Sequence, residues 1–149
     1  MKPQRPDQLQ SHPEGGRFQE VFRSDIKVEC ADKGTRSALT HIYFELNHNE
    51  RSCLHRVSSE EVWNLYEGEL RLWLYDGAKF DYVELSAKNR VYCYVVPAGV
   101  WQAAEPMGSK ALVGCSVGPG FEFNDFEMLM ESSEKESFLS LYPDKREWV

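Results

Sequence analysis

The stretch EGELRLWLYDGAKFDYVEL, residues 67–85, decides how the rest of the chain is read. Leu70, Leu72 and Leu74 alternate with Arg71, Trp73 and Tyr75, which is the period of two of a strand with one buried face. Asp76-Gly77 interrupts the pattern and KFDYVEL (79–85) follows, so the stretch predicts two strands joined by a tight turn.

The same signature recurs on both sides. In TRSALTHIYFEL (35–46), Thr40, Ile42, Phe44 and Leu46 share one face, while His41, Tyr43 and Glu45 fall on the other; NHNE (47–50) then reads as a turn. SCLHRV (52–57) is a short strand with Cys53, His55 and Val57 on one face. Ser58 and Ser59 suit the cap of a helical turn, but a loop feeding a strand at 62–66 fits the following residues better. VYCYVVPAG (91–99) ends at Pro97 and Gly99, and ALVGCSVGPGFEF (111–123) is broken at Gly118-Pro119-Gly120. At least six strands spaced about 8–12 residues apart predict a sandwich or barrel. Closing the sheet into a jelly roll protects edges that a chain rich in Tyr, Phe and Val would otherwise expose. The tail, 131–149, reads as one short amphipathic helix capped by Ser132 or Ser133, with Phe138 and Leu141 on its apolar face and Pro143 as its stop.

The 149 residues suffice for one domain with a real core, and 42% hydrophobic with 28% charged residues suits a globular chain. Residues 1–11 have no apolar run and are expected to be a flexible leader rather than a signal peptide. A net charge of −7 repels phosphate backbones, so nucleic acid is excluded as an expected partner. No stretch reaches the length of a membrane-spanning helix. Cys30, Cys53, Cys93 and Cys115 form no C-x-x-C pair; Cys93 and Cys115 sit in apolar alternating runs. There each is expected to be a small buried free thiol, and buried free thiols predict a reducing, cytoplasmic setting.

Five stretches occur in a fixed order: HPEGGRFQEVFRS (12–24), THIYFEL (40–46), HRVSSEEVWNLYEG (55–68), VVPAGVWQAA (95–104) and LVGCSVGPGFEFNDFE (112–127). Together they resemble the small cupin family DUF985, also called cupin_5. The resemblance implies an all-β fold, a double-stranded β-helix or cupin jelly-roll barrel of the RmlC-like superfamily, with a site in the barrel mouth. It also implies a homodimer built partly by strands near the N-terminus. Against the superfamily's first motif, G-x5-H-x-H-x3/4-E-x6-G, the chain aligns Asn49, His55, Val57, Glu61 and Gly68. Against P-x-G-x2-H it aligns Pro97, Gly99 and Gln102. Val57 and Gln102 stand where the superfamily carries histidines, and Asn64 stands where the family pattern has one.

Two chemistries follow from what remains. His55, Glu61 and Gln102 form a depleted N,O,O set whose only metal expectation is a weakly bound divalent ion, or none. A histidine beside a carboxylate also titrates near neutrality and can move a proton next to a carbonyl. Cupin epimerases, by resemblance, pair a histidine base with a tyrosine acid. His55 is then the expected base, Glu61 its partner, and Tyr43 or Tyr94 the acid. Arg23 and Glu14, flanking Gly15-Gly16, together with Trp63, Tyr66, Trp101 and Gln102, are the expected substrate-binding residues. The resulting expectation is a small-molecule enzyme of isomerase or epimerase type acting on a carbonyl metabolite such as a sugar derivative. A weakly metal-dependent lyase or oxygenase and a non-catalytic binding module are the alternatives.

Overall fold

A computed structural model describes residues 2–149. In chain order its strands are β1 (Gln10–Ser11), β2 (Arg17–Arg23), β3 (Lys27–Cys30), β4 (Gly34–Ser37), β5 (Thr40–Asn47), β6 (His55–Val57), β7 (Glu60–Glu67), β8 (Glu69–Tyr75), β9 (Phe80–Ser86), β10 (Cys93–Val96), β11 (Trp101–Pro106), β12 (Lys110–Gly118) and β13 (Phe126–Met128). One α-helix, α1 (Lys135–Leu141), follows, and a 3-10 turn over Pro143–Trp148 ends the chain.

The strands form a six-stranded sheet in the order β1-β2-β5-β12-β7-β10 and a five-stranded sheet in the order β13-β6-β11-β8-β9, with β3-β4 as a separate hairpin. All pairings are antiparallel, as in a double-stranded β-helix. The stretch at 67–85 forms β8 and β9 as its alternation requires, with Tyr75 opposite Phe80 across the Asp76-Gly77 turn.

The interior lies between the two sheets. Phe44 and Leu46 of β5, Trp63 of β7 and Val113 and Cys115 of β12 meet Leu70 and Leu72 of β8, Leu85 of β9 and Ala104 of β11. A second apolar layer covers the outer face of the five-stranded sheet, where Tyr75, Trp101 and Ala103 pack with Leu54, Leu129, Phe138, Leu139 and Trp148. The tail is therefore a third layer. Its helix buries Phe138 and Leu139, while Leu141 is exposed. Leu141 is three residues from Phe138, but the neighbouring Leu139 takes the packed position. Neither Ser132 nor Ser133 is the N-cap, which is Glu134; the Ser132 hydroxyl instead accepts the backbone N–H of Glu134 at 3.1 Å.

Met1, part of the leader expected to be flexible, lies outside the described residues. The rest is held at several points: Gln10 and Ser11 pair with β2, the backbone N–H of Gln8 bonds Gln19, and Tyr43 donates to the carbonyl of Gln4 at 3.0 Å. Among the described residues no helix is long and apolar enough to cross a membrane.

Candidate active site

The site begins at the turn His12–Gly16. Gly15 adopts a φ of +107°, and a Cβ there would lie 2.5 Å from the carbonyl oxygen of Arg51, so only glycine lets the turn press against the segment leading into β6. The carbonyl of Glu14 accepts the backbone N–H of Cys53 at 2.7 Å, which fixes the turn beside β6. Its side chain thereby reaches His55, with Oε2 2.7 Å from Nε2.

Hydrogen-bond chemistry settles how His55 is protonated. Nδ1 lies 2.8 Å from the carbonyl oxygen of Cys53, which can only accept, so Nδ1 carries a proton. Nε2 faces the Glu14 carboxyl, and one proton must lie between them. Burial works against a charged imidazole, but the Glu14 carboxylate, with help from Glu61 and the Cys53 carbonyl, outweighs it and raises the His55 pKa. Phe126 stacks on the ring at 5.5 Å between centroids.

A second chain of bonds orients Glu61. The Trp63 indole N–H is a donor only, and it donates to Gln102 Oε1 at 2.8 Å. That fixes the amide so that its NH2 donates to Glu61 Oε2. Gln102 is fully buried and Glu61 nearly so. Burial pushes the Glu61 pKa from its ordinary 4.5 up to about 7; His55 opposes the shift and the Glu14 charge adds to it. Cys115 lies within hydrogen-bonding reach of Glu61, and burial followed by the nearby carboxylates holds its thiol protonated.

A cavity of about 90 Å³ opens beside these groups. Glu61, Cys115 and His12 line it together with the apolar side chains of Phe18, Ile42, Val117 and Phe121. Arg23 stands at the rim between Glu20, at 2.7 Å, and Glu122, at 2.9 Å.

The sequence-predicted residues divide accordingly. Glu14 and His55 form one buried pair, Trp63, Gln102 and Glu61 form a second buried chain on the neighbouring strand positions, and Glu61 and Arg23 line the cavity. His55 does not line it; the ring is sealed behind Glu14 and Phe126. Tyr43 and Tyr66 lie elsewhere. Both are on the outer face of the six-stranded sheet, 5.8 Å apart, where the Tyr66 hydroxyl is 2.9 Å from His41 Nε2. Tyr94 packs against the core and is not among the cavity walls. Trp101 is buried in the outer apolar layer under the Arg56 guanidinium, 4.2 Å from its ring centre, because it follows the opposite alternation to Gln102. The two residues the sequence reading left out of the candidate set are His12 and Cys115. The HPEGG turn signalled the first; the second shares the inward face of β12 with Val113 and Val117.

The set expected to hold a divalent ion does not fit one. His55 Nε2 is committed to Glu14, Gln102 Oε1 accepts from Trp63, and the amide NH2, a donor, is what faces Glu61. Among the described residues no group of three or more His, Cys, Asp or Glu side chains is arranged to hold a metal.

The comparisons agree with this architecture. The family model Cupin_5, described as cupin superfamily (DUF985), matches residues 6–129. None of the curated proteins matches the chain. A hypothetical protein from Leishmania major is similar at 30% identity, over 92% of this chain and 88% of its own, with a TM-score of 0.77. A protein from Shewanella oneidensis is similar at 29% identity, over 93% and 87%, with a TM-score of 0.76. KdgF from Halomonas sp., at 13% identity over 78% of this chain and 90% of its own, shares the fold with a TM-score of 0.57. With more than two thirds of its length matched by the family model, the chain belongs to the cupin superfamily family DUF985, Cupin_5.

Proposed function

We propose that this cupin is a small-molecule enzyme that moves a proton on carbon next to a carbonyl, in a metabolite such as a sugar derivative, with Glu61 as the acid–base group. One observation carries the reading: a buried carboxyl, held by the Gln102 amide, lines the cavity, and burial pushes its pKa up to about 7. At neutral pH it is present in both forms, so it can take a proton and return it. Gln102, fixed by Trp63, holds the carboxyl in one orientation. His55 and Glu14 lie behind it, where the Glu14 carboxylate favours the His55 cation and that cation in turn favours the ionised, proton-accepting form of Glu61. This moves the expected base from His55 to Glu61, since the imidazole has no face on the cavity.

The test is exchange of substrate carbon-bound hydrogen with deuterated water, followed by NMR across a panel of small ketoses, aldoses and hydroxy ketones. Wild-type protein exchanges at least one of them, and Glu61→Gln lowers the rate by about 100-fold or more. Saturable binding without exchange would replace this reading with a non-catalytic binding module, which the apolar walls of Phe18, Ile42 and Val117 also suit. A homodimer and a cytoplasmic setting remain part of the proposal. Of the two thiols expected to be buried, Cys115 is and Cys93 is exposed; all four cysteines are free, which supports the second, and sedimentation velocity tests the first.

A further inference from the structure

His12 lines the cavity with one ring nitrogen unbonded, and the hydrogen bonds around it say which one. Its Nδ1 accepts the backbone N–H of Glu14 at 3.2 Å, while the Glu14 carboxylate oxygen stays beyond hydrogen-bond distance at 3.6 Å, so the lone pair is on Nδ1 and the ring proton is on Nε2. Nε2 finds no partner among the described residues. It is also not sealed: among the described residues the buried side-chain nitrogens and oxygens lacking a partner are Ser86 Oγ and Trp101 Nε1. His12 lines the cavity with Glu61, and its side chain is only 7% exposed. Its place is set by edge-on contacts with Phe18 at 4.8 Å, Phe126 at 5.7 Å and Phe44 at 6.0 Å. Burial, and then the neighbouring His55, lower its pKa against the opposing pull of Glu14, in keeping with a neutral ring.

We infer that His12 is a catalytic residue of the same site, whose neutral Nε2–H donates a hydrogen bond to the substrate's carbonyl oxygen while Glu61 works on the adjacent carbon. This rests on the proton-transfer reading and narrows its substrates to compounds that enolise, with a C–H next to an aldehyde or ketone. The electrons balance without an oxidant. Glu61 takes the proton, the C–H pair becomes the new C=C bond, and the C=O π pair moves onto oxygen. There His12 stabilises the developing charge. Return of the proton from Glu61 to the same carbon gives back the substrate; where that carbon bears a hydroxyl, the hydroxyl proton moves to the former carbonyl oxygen, the hydroxyl oxygen becomes the new carbonyl, and return of the proton from Glu61 to the former carbonyl carbon gives the isomer. A neutral imidazole suits this role because it donates without neutralising the base beside it.

The deuterium-exchange assay, run on the panel member that exchanges fastest, separates the two claims. His12→Phe, which keeps an aromatic ring among the phenylalanines, lowers kcat about 100-fold with KM within about threefold; His12→Gln, which keeps a donor, recovers part of the loss. If Glu61→Gln abolishes exchange but His12→Phe retains the wild-type kcat, Glu61 chemistry stands and the role of His12 is overturned. If wild-type protein exchanges nothing, both fall. Should His12→Phe not fold, nitrogen-15 NMR of the wild-type imidazole decides. A proton on Nε2 that moves downfield on adding acetohydroxamate, a planar mimic of an enediolate, supports the inference; a proton on Nδ1, or no movement with saturating probe, overturns it.

Discussion

Glu61 keeps its proton to about pH 7 because it is buried, whereas in the unfolded chain it would lose that proton near the ordinary 4.5. Between those values the folded state binds a proton that the unfolded state does not. Raising the pH through this window therefore weakens the fold, by about 3 kcal/mol once the upper value is passed. His55 acts in the same direction. Its folded pKa is raised, so its stabilisation is complete below the ordinary 6.5 and fades as the pH climbs through the folded value. Urea denaturation at pH 5 and pH 8 should show the wild-type protein losing stability toward the higher pH, with Glu61→Gln losing about 3 kcal/mol less. Equal losses in both proteins would mean that position 61 is not the titrating group.

At the scale of strands, parity governs what was legible. Thr40, Ile42, Phe44 and Leu46 read as one face, so Tyr43 had to lie on the other, and once the apolar face is inside Tyr43 is outside. The same rule puts Glu61 and Trp63 inward and Tyr66 outward on β7, and it forbids Trp101 and Gln102 from pointing into the barrel together. Period two was thus enough to discard three aromatic candidates once the inner face was known. It could not join Glu14 to His55, because that contact depends on a non-repeating turn laid against β6. The barrel, Glu61 and Gln102 were readable from alternation and motif spacing; the Glu14–His55 pair and the placement of His12 were not. Gly68, at the turn between β7 and β8, shows how tightly such turns are built. Its φ is +76°, and a Cβ would lie 2.0 Å from the carbonyl oxygen of Lys110. Gly68→Ala should cost about 3 kcal/mol or more, seen as a lowered denaturation midpoint with an unchanged slope.

Over the whole molecule, the tail matters because it dries the outer face of the five-stranded sheet. The backbone N–H of Leu54 bonds the carbonyl of Trp148 at 2.7 Å, and the Trp148 ring packs beside Trp73 with centroids 5.3 Å apart. Leu54 lies one residue before His55, so the last turn of the chain braces the strand that carries the buried imidazole. Trp148→Ala should cost about 3–5 kcal/mol in urea denaturation. A loss below about 1 kcal/mol would mean that the tail merely rests on the barrel.

The rim has its own consequence. Arg23 meets two carboxylates there, Glu20 and Glu122, on a chain whose net charge is −7. A visiting carboxylate would find the guanidinium already satisfied and would have to evict a tethered rival, whereas an uncharged guest enters without that contest. The doorway should therefore sort guests by charge. In calorimetric titrations a hydroxy ketone should bind more tightly than its carboxylic-acid counterpart, and added salt should narrow the gap by screening the rejected charge.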